Sequence, residues 1–228
     1  MNAEFRGDEE QVSIPAGKVT LDGDLVLAPS ARGIVVFAHG SGSSRKSPRN
    51  RYVAQELQRA GLATLLFDLL TSSEELVDER TAELRFNIPF LAERLAGATG
   101  WLLEQEKAPG LRIGYFGAST GAGAALVAAA QRPKEIGAVV SRGGRPDLAA
   151  ESLPQVQAPT LLIVGGRDTP VVGMNRDALA KLQSEKELTI VPGASHLFEE
   201  PGALEQVSRL ARDWFVRYLG AKRDERVA

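Results

Sequence analysis

Short unbroken apolar runs alternate along most of the chain with longer stretches in which apolar residues recur at helical spacing. The runs Ile34 to Ala38, Ala63 to Phe67, Leu111 to Phe116, Ile136 to Val140, Thr160 to Val164 and Leu188 to Val191 are too short for helices and show no polar face. Strands of that kind are buried on both sides, as in a parallel sheet covered by helices. Helices are predicted over about Pro48 to Ala60, Pro89 to Gln105, Ala122 to Ala130, Met174 to Gln183 and Leu204 to Leu219. Ahead of this alternation, Gln11 to Pro15 and Lys18 to Ala28 alternate apolar with polar and read as an antiparallel pair at one sheet edge, with Asp22-Gly23 as the hairpin turn. The predicted class is α/β: a mostly parallel twisted sheet of about eight strands with helices on both faces. Ligands of such sheets bind beyond the carboxyl ends of the strands, so the residues that follow each strand are the ones to read for chemistry.

One such junction is Gly117-Ala118-Ser119-Thr120-Gly121, between the Leu111 to Phe116 run and the small-residue helix. A chain with 23 glycines can produce Gly-x-Ser-x-Gly by chance, as a plain turn capping a helix. In a strand-turn-helix setting the pattern reads as a nucleophile elbow, where a strained turn lifts the serine hydroxyl above the sheet. A serine nucleophile needs a neutral imidazole, and the chain has two histidines, His39 and His196. His196 follows the Leu188 to Val191 run in Pro192-Gly193-Ala194-Ser195-His196, and Asp168 ends Gly165-Gly166-Arg167-Asp168 after the run before it. The order Ser119, Asp168, His196 is that of α/β-hydrolases and differs from the orders of the chymotrypsin and subtilisin types. Each residue has a plainer reading, Asp168 as a cap and His196 as a loop histidine; three strand ends in the right order favour the triad. Asp147, after the strand ending near Ser141, is the second candidate for the acid.

Composition narrows the chemistry further. With 228 residues, one domain over 1–228 is expected, with 221–228 as a charged, frayed tail or the start of a linker. A net charge of −2 with both signs interspersed argues against a nucleic-acid surface. The absence of cysteine removes disulfides, thiolate metal sites and a cysteine nucleophile together, so serine carries any covalent chemistry. Separately, neither metal nor cofactor is expected. The first ten residues lack the apolar core of a secretory signal, and no run reaches the roughly 18 apolar residues of a membrane span. No membrane association and a cytoplasmic location are the default expectations.

His39-Gly40-Ser41-Gly42-Ser43-Ser44-Arg45, Phe67-Asp68-Leu69-Leu70-Thr71 and Ser141-Arg142-Gly143-Gly144-Arg145-Pro146-Asp147, together with the three strand-end residues, resemble the α/β-hydrolase superfamily and, more narrowly, its small dienelactone-hydrolase-like members. The resemblance covers most of the chain. Dienelactone hydrolases proper carry a cysteine where Ser119 stands, so a general ester substrate is favoured over dienelactone. The elbow rule gives the backbone N–H of Thr120 as one oxyanion donor, and the resemblance points to that of Ser41 as the other. His39 is assigned to shaping the loop. Similar hydrolase domains also occur fused to other domains, which allows this chain to be part of a longer protein.

The resulting expectation is a serine carboxylesterase acting on short-chain or small aromatic esters through an acyl-enzyme, with a small-molecule ester as its partner. A lactone, thioester or small-peptide hydrolase with the same triad is the alternative, and a non-catalytic binding module on a hydrolase-like fold is a further one. Arg45 and Arg142, with Arg49, are candidates for the substrate mouth. Asp68 is expected to pair with Arg80 or Arg85, and Glu199 and Glu200 to be solvated charges. The short stretch between Ser141 and Thr160 leaves no room for a large cap. The segment from Thr71 to Pro89 is expected to fold over the site and supply Leu76, Phe86 or Ile88 as an apolar wall.

Overall fold

A computed structural model describes residues 8–27, 30–105 and 110–220. The tail over 221–228 and the end of the second predicted strand at Ala28 lie outside the described residues. Among the described residues eight strands, β1 (Glu9–Ala16), β2 (Val19–Val26), β3 (Gly33–Ala38), β4 (Ala63–Phe67), β5 (Arg112–Ala118), β6 (Ile136–Arg142), β7 (Thr160–Gly165) and β8 (Lys186–Val191), form one sheet in the order β1-β2-β4-β3-β5-β6-β7-β8. β2 runs antiparallel to both of its neighbours and every other pairing is parallel. The α/β class and the α/β-hydrolase topology are therefore as predicted.

The predicted hairpin turn is misplaced. Asp22 and Gly23 pair with Ser13 and Val12 in mid-strand, and the chain reverses at Gly17-Lys18, between the paired Ala16 and Val19. Gly17 takes φ 65°, the left-handed conformation that a two-residue hairpin requires. Gly23 is small for a packing reason: a Cβ there would lie 2.9 Å from Val12 Cγ2.

Among the described residues six helices, α1 (Pro48–Arg59), α2 (Ser72–Thr81), α3 (Ile88–Leu103), α4 (Thr120–Gln131), α5 (Thr169–Lys181) and α6 (Ala203–Leu219), cover the sheet. α1 and α6 bury Val53, Leu57, Val207 and Phe215 on one face; α3 and α4 bury Leu91, Leu95, Ala124 and Ala128 on the other. The alanines of α4 let it lie close over the sheet centre, directly behind the elbow. Between β6 and β7 the chain makes two short 3-10 turns, Pro146–Ala149 and Leu153–Gln155, so no cap domain rises there.

α2 has no counterpart among the predicted helices. Asp78 is its only buried residue, and Leu76 and Val77 are more than half exposed, so it carries no apolar stripe for periodicity to detect. It is fixed instead by a capping box. Thr71 Oγ1 accepts from the Glu74 N–H at 3.2 Å, and the Glu74 carboxylate accepts from the Thr71 N–H at 2.8 Å. Among the described residues no helix is long and apolar enough to cross a membrane.

Candidate active site

β5 ends by placing Ser119 at φ 49°, ψ −120°, a conformation that side-chain-bearing residues rarely adopt and that costs about 1–3 kcal/mol. The surroundings hold it there. The Ser119 N–H donates to the Arg142 carbonyl at 3.2 Å, while its own carbonyl accepts from the Ala122 and Arg145 N–H groups, each at 3.1 Å. The flanking glycines are demanded by close approach: a Cβ on Gly117 would run into the backbone of Ala122, and one on Gly121 into the carbonyl oxygens of Ala38 and His39. Ser119 occupies the N-cap position of α4 but makes no side-chain cap bond, so its hydroxyl is not engaged by its own helix.

Asp168 occupies the equivalent position before α5 and likewise does not cap it. Its Oδ2 lies 2.6 Å from His196 Nδ1 instead. A carboxylate can only accept, so Nδ1 carries the proton and Nε2 of the neutral ring keeps a free lone pair. The loop bearing His196 is fixed from several sides. The Ser195 N–H donates to Glu200 Oε2 at 3.0 Å, Phe198 is buried with φ 56°, and a Cβ on Gly165 would strike the carbonyls of Ala194 and Ser195. Glu200 is thus a loop staple, its carboxyl lowered first by the Ser195 N–H, and Glu199 pairs with Arg49 at 3.0 Å. Glu199 is largely exposed, as expected of a solvated charge, whereas Glu200 has this additional structural bond. Asp147 forms a two-bond fork with Arg145 at 2.8 and 2.7 Å, and that bonding lowers its pKa.

The loop after β3 faces the elbow. Ser41 Oγ and Thr120 Oγ1 are 3.1 Å apart, and among the described residues neither backbone N–H donates to a backbone acceptor outside regular helices and strands. His39 anchors this loop from below: its Nδ1–H donates to the Gly40 carbonyl and its Nε2 accepts from the Leu69 N–H, both at 3.0 Å. Burial lowers its pKa, against the opposing pull of the Gly40 carbonyl and Asp68. Arg45 anchors the loop's far end, bonding Asp68 through both its backbone N–H and its guanidinium, with Asp24 at 3.5 Å and Asp22 at 3.7 Å. Arg45 is therefore committed to the loop and not to the mouth, and Asp68 pairs with it and not with Arg80 or Arg85. Arg85 is taken by Asp78.

The histidine anchor gives a pH dependence. A histidine whose folded pKa lies below its unfolded value contributes stability that is present above the unfolded value, near 6.5, and lost as pH falls. Thermal melts from pH 8 to pH 5 are expected to show the wild type losing up to about 1.4 kcal/mol per pH unit more than His39→Gln below that point. Parallel curves would remove His39 as the linked group.

A cleft of about 120 Å³ opens beside Ser41 and Thr120. Its apolar wall is Leu69, Leu70 and Leu91, and α2 contributes Glu75, Asp78 and Glu79. This corrects the expected wall: Leu76 and Phe86 point to solvent, and Ile88 is buried in the core. Glu75 is pushed up by burial, then by Asp68 and Glu79. Arg142, the other expected mouth residue, is buried at the end of β6.

The geometry can be set beside known proteins. The family described as alpha/beta hydrolase domain matches residues 31–209. A Mycobacterium tuberculosis protein provisionally named a phosphoribosyl transferase is 59% identical over 211 residues, which is 92% of this chain and 47% of that protein. The chain thus spans about half the length of these curated relatives. The crystal structure of a dienelactone hydrolase from Anabaena variabilis superposes with a TM-score of 0.91 at 64% identity, covering 93% of this chain and 98% of that one. Est1E from Butyrivibrio proteoclasticus shares the fold at 14% identity, with a TM-score of 0.79 over 95% of this chain and all of that one.

Proposed function

The chain belongs to the α/β-hydrolase family, in its dienelactone-hydrolase-like branch, and from that premise we propose that it is a serine carboxylesterase cleaving short-chain or small aromatic esters. The observation that carries the reading is the strained Ser119, its hydroxyl unspent, on the same sheet edge as a histidine whose Nδ1 is held by Asp168. Ser119 Oγ attacks the ester carbonyl while His196 Nε2 takes its proton. The step requires a hydrogen bond from Ser119 Oγ to His196 Nε2 in the substrate complex, a contact often open in free enzymes. The carbonyl oxygen gains the negative charge and receives hydrogen bonds from the N–H groups of Ser41 and Thr120. His196 then protonates the departing alkoxide, and the reverse sequence with water releases the acid and frees Ser119. Asp168 fixes the ring orientation and stabilises the imidazolium that forms twice in each turnover.

A lactone is the second reading, favoured by the 64% identical relative named a dienelactone hydrolase. It is a cyclic ester, opened by the same attack with the leaving alkoxide still tethered. The transferase name of the mycobacterial relatives attaches to proteins about twice as long, and the esterase reading rests on the site in the shared half.

The test is an acyl series of 4-nitrophenyl esters. Each additional buried CH₂ contributes about 0.8 kcal/mol only where apolar wall receives it. The cleft supplies three leucines and then turns acidic, so kcat/KM is expected to peak at about two to six carbons and to decline by twelve. A continued rise through twelve carbons would reveal a long acyl tunnel and refute the short-chain reading. No hydrolysis of any ester would refute the esterase reading itself.

A further inference from the structure

Arg142 is a buried cation to which the described residues offer no anion. The residue is 7% exposed, and its Nε and Nη1 are covered and without a hydrogen-bond partner. Among the described residues it makes no ion pair. The charge that acts on it is another cation: burial first, and then Arg49, bring the guanidinium down to about 10, which leaves it charged at neutral pH. Arg49 is itself only half satisfied, with Nη1 on Glu199 at 3.0 Å and Nε covered and unpartnered. An unpaired buried charge opposes folding, and an apolar side chain of similar volume packs there at no such cost. Stability therefore gives no account of an arginine at this position.

Its placement does. Arg142 is in register with Ala118, the residue before the elbow serine, and its carbonyl accepts the Ser119 N–H. The next residue, Gly143, lies against His196, where an added Cβ would stand 3.5 Å from Nδ1. The two neighbouring strands are about 5 Å apart, so the guanidinium is rooted within one side-chain length of the reacting groups. Alternation along β6 sends Arg142 to the same sheet face as Val140, the side of α1 and α6, whereas the leucine cleft opens on the side of α3. The cleft holds Glu75 and Glu79 beside the mutually neutralised Asp78–Arg85 pair and so disfavours an anion, whereas the opposite side holds two cations, Arg142 and Arg49, of which only Arg49 has a carboxylate partner, Glu199.

We propose that Arg142, assisted by Arg49, binds an oxyanion, the carboxylate or phosphate group of the substrate, on the side of Ser119 away from the leucine cleft. The planar guanidinium fork suits either group. The preferred substrate is then an ester or lactone with a neutral portion in the cleft and an anionic group beyond the scissile bond. This assignment rests on the esterase reading for the word substrate, but not for the anion site.

The first measurement is therefore binding. Sodium acetate and sodium phosphate, each against sodium chloride at matched ionic strength, are expected to raise the Tm of the wild type by a few degrees, and the better of the two identifies the group. Arg142→Gln is expected to abolish that rise, and Arg49→Gln, at a partly exposed position, to reduce it. The second measurement compares phenyl acetate with 4-carboxyphenyl acetate, and 4-nitrophenyl pentanoate with the 4-nitrophenyl hemiester of glutaric acid. One charged ester is expected to exceed its neutral partner about tenfold in kcat/KM in the wild type, and to lose that lead in the variants. Absence of an anion-specific Tm rise in the wild type overturns the proposal, as does an undiminished rise in both variants. If Arg142→Gln does not fold, the wild-type measurement and Arg49→Gln decide. An anion-specific rise without hydrolysis of any ester keeps the anion site and overturns the esterase reading; hydrolysis without any anion effect does the reverse.

Discussion

Ser119→Ala is expected to lower kcat for ester hydrolysis by about 10³ to 10⁶-fold, or roughly 4 to 8 kcal/mol of barrier, while leaving the fold intact. The size follows from the role. Without Oγ no acyl-enzyme forms, and what remains is water attacking a carbonyl polarised by two N–H groups. The chain has no cysteine to substitute for the lost nucleophile. The fold should survive because the side chain makes no cap bond and Ala fits wherever Ser does. The unusual backbone conformation remains strained in the variant, so thermal stability should shift by no more than about 0.5 kcal/mol. A fluorophosphonate should label the wild type at Ser119 and leave the variant unlabelled. Activity retained in a pure sample would remove Ser119 from the mechanism, and an unlabelled wild type would favour a binding module on a hydrolase-like fold.

The sheet and the positions of the candidate residues at its edge were legible because both are written in local patterns. Six apolar runs locate the six consecutive strands from β3 to β8, since a strand buried on both faces tolerates few polar residues. Ser119, Asp168 and His196 each follow one of those strands, and the α/β topology brings strand ends together whatever the loop sequences are. The misread features depend on contacts between segments far apart in sequence. Asp22-Gly23 looks like a turn, yet Gly23 is small because Val12 crosses it, and nothing near Gly23 records Val12. Arg45 looks like a surface arginine until Asp24 of β2 and Asp68, just past the end of β4, converge on it. α2 lacks an apolar stripe; the Thr71 and Glu74 pair was the signal that could have located it. For Arg142 the sequence raises a candidate, and only burial without a partner distinguishes it from the other cations at the surface.

Asp168→Asn is expected to cost about 10² to 10⁴-fold in kcat, and Asp147→Asn less than about threefold. Asn presents either its carbonyl or its NH₂ to His196 Nδ1. With the carbonyl inward the tautomer is kept but the negative charge that stabilises imidazolium is lost. With the NH₂ inward Nδ1 must accept, the proton moves to Nε2, and the ring can no longer take the proton of Ser119. Either outcome acts on the reacting step, so the loss should fall on kcat with little change in KM. Asp147 has no such path to the chemistry. Its carboxylate is held by Arg145, both groups are about one-third exposed, and breaking a pair of that kind costs at most about 1 kcal/mol. One local consequence remains, because the Arg145 N–H holds the Ser119 carbonyl at 3.1 Å and the elbow could relax slightly when Arg145 is freed. That effect is bounded by the Ala122 bond to the same carbonyl, which the mutation leaves in place. Both variants should be compared at one and the same pH, with circular dichroism confirming the fold. If Asp147→Asn proved the more damaging of the two, the acid would have to be reassigned to Asp147, and the 2.6 Å contact of Asp168 with His196 would be a structural anchor for the loop.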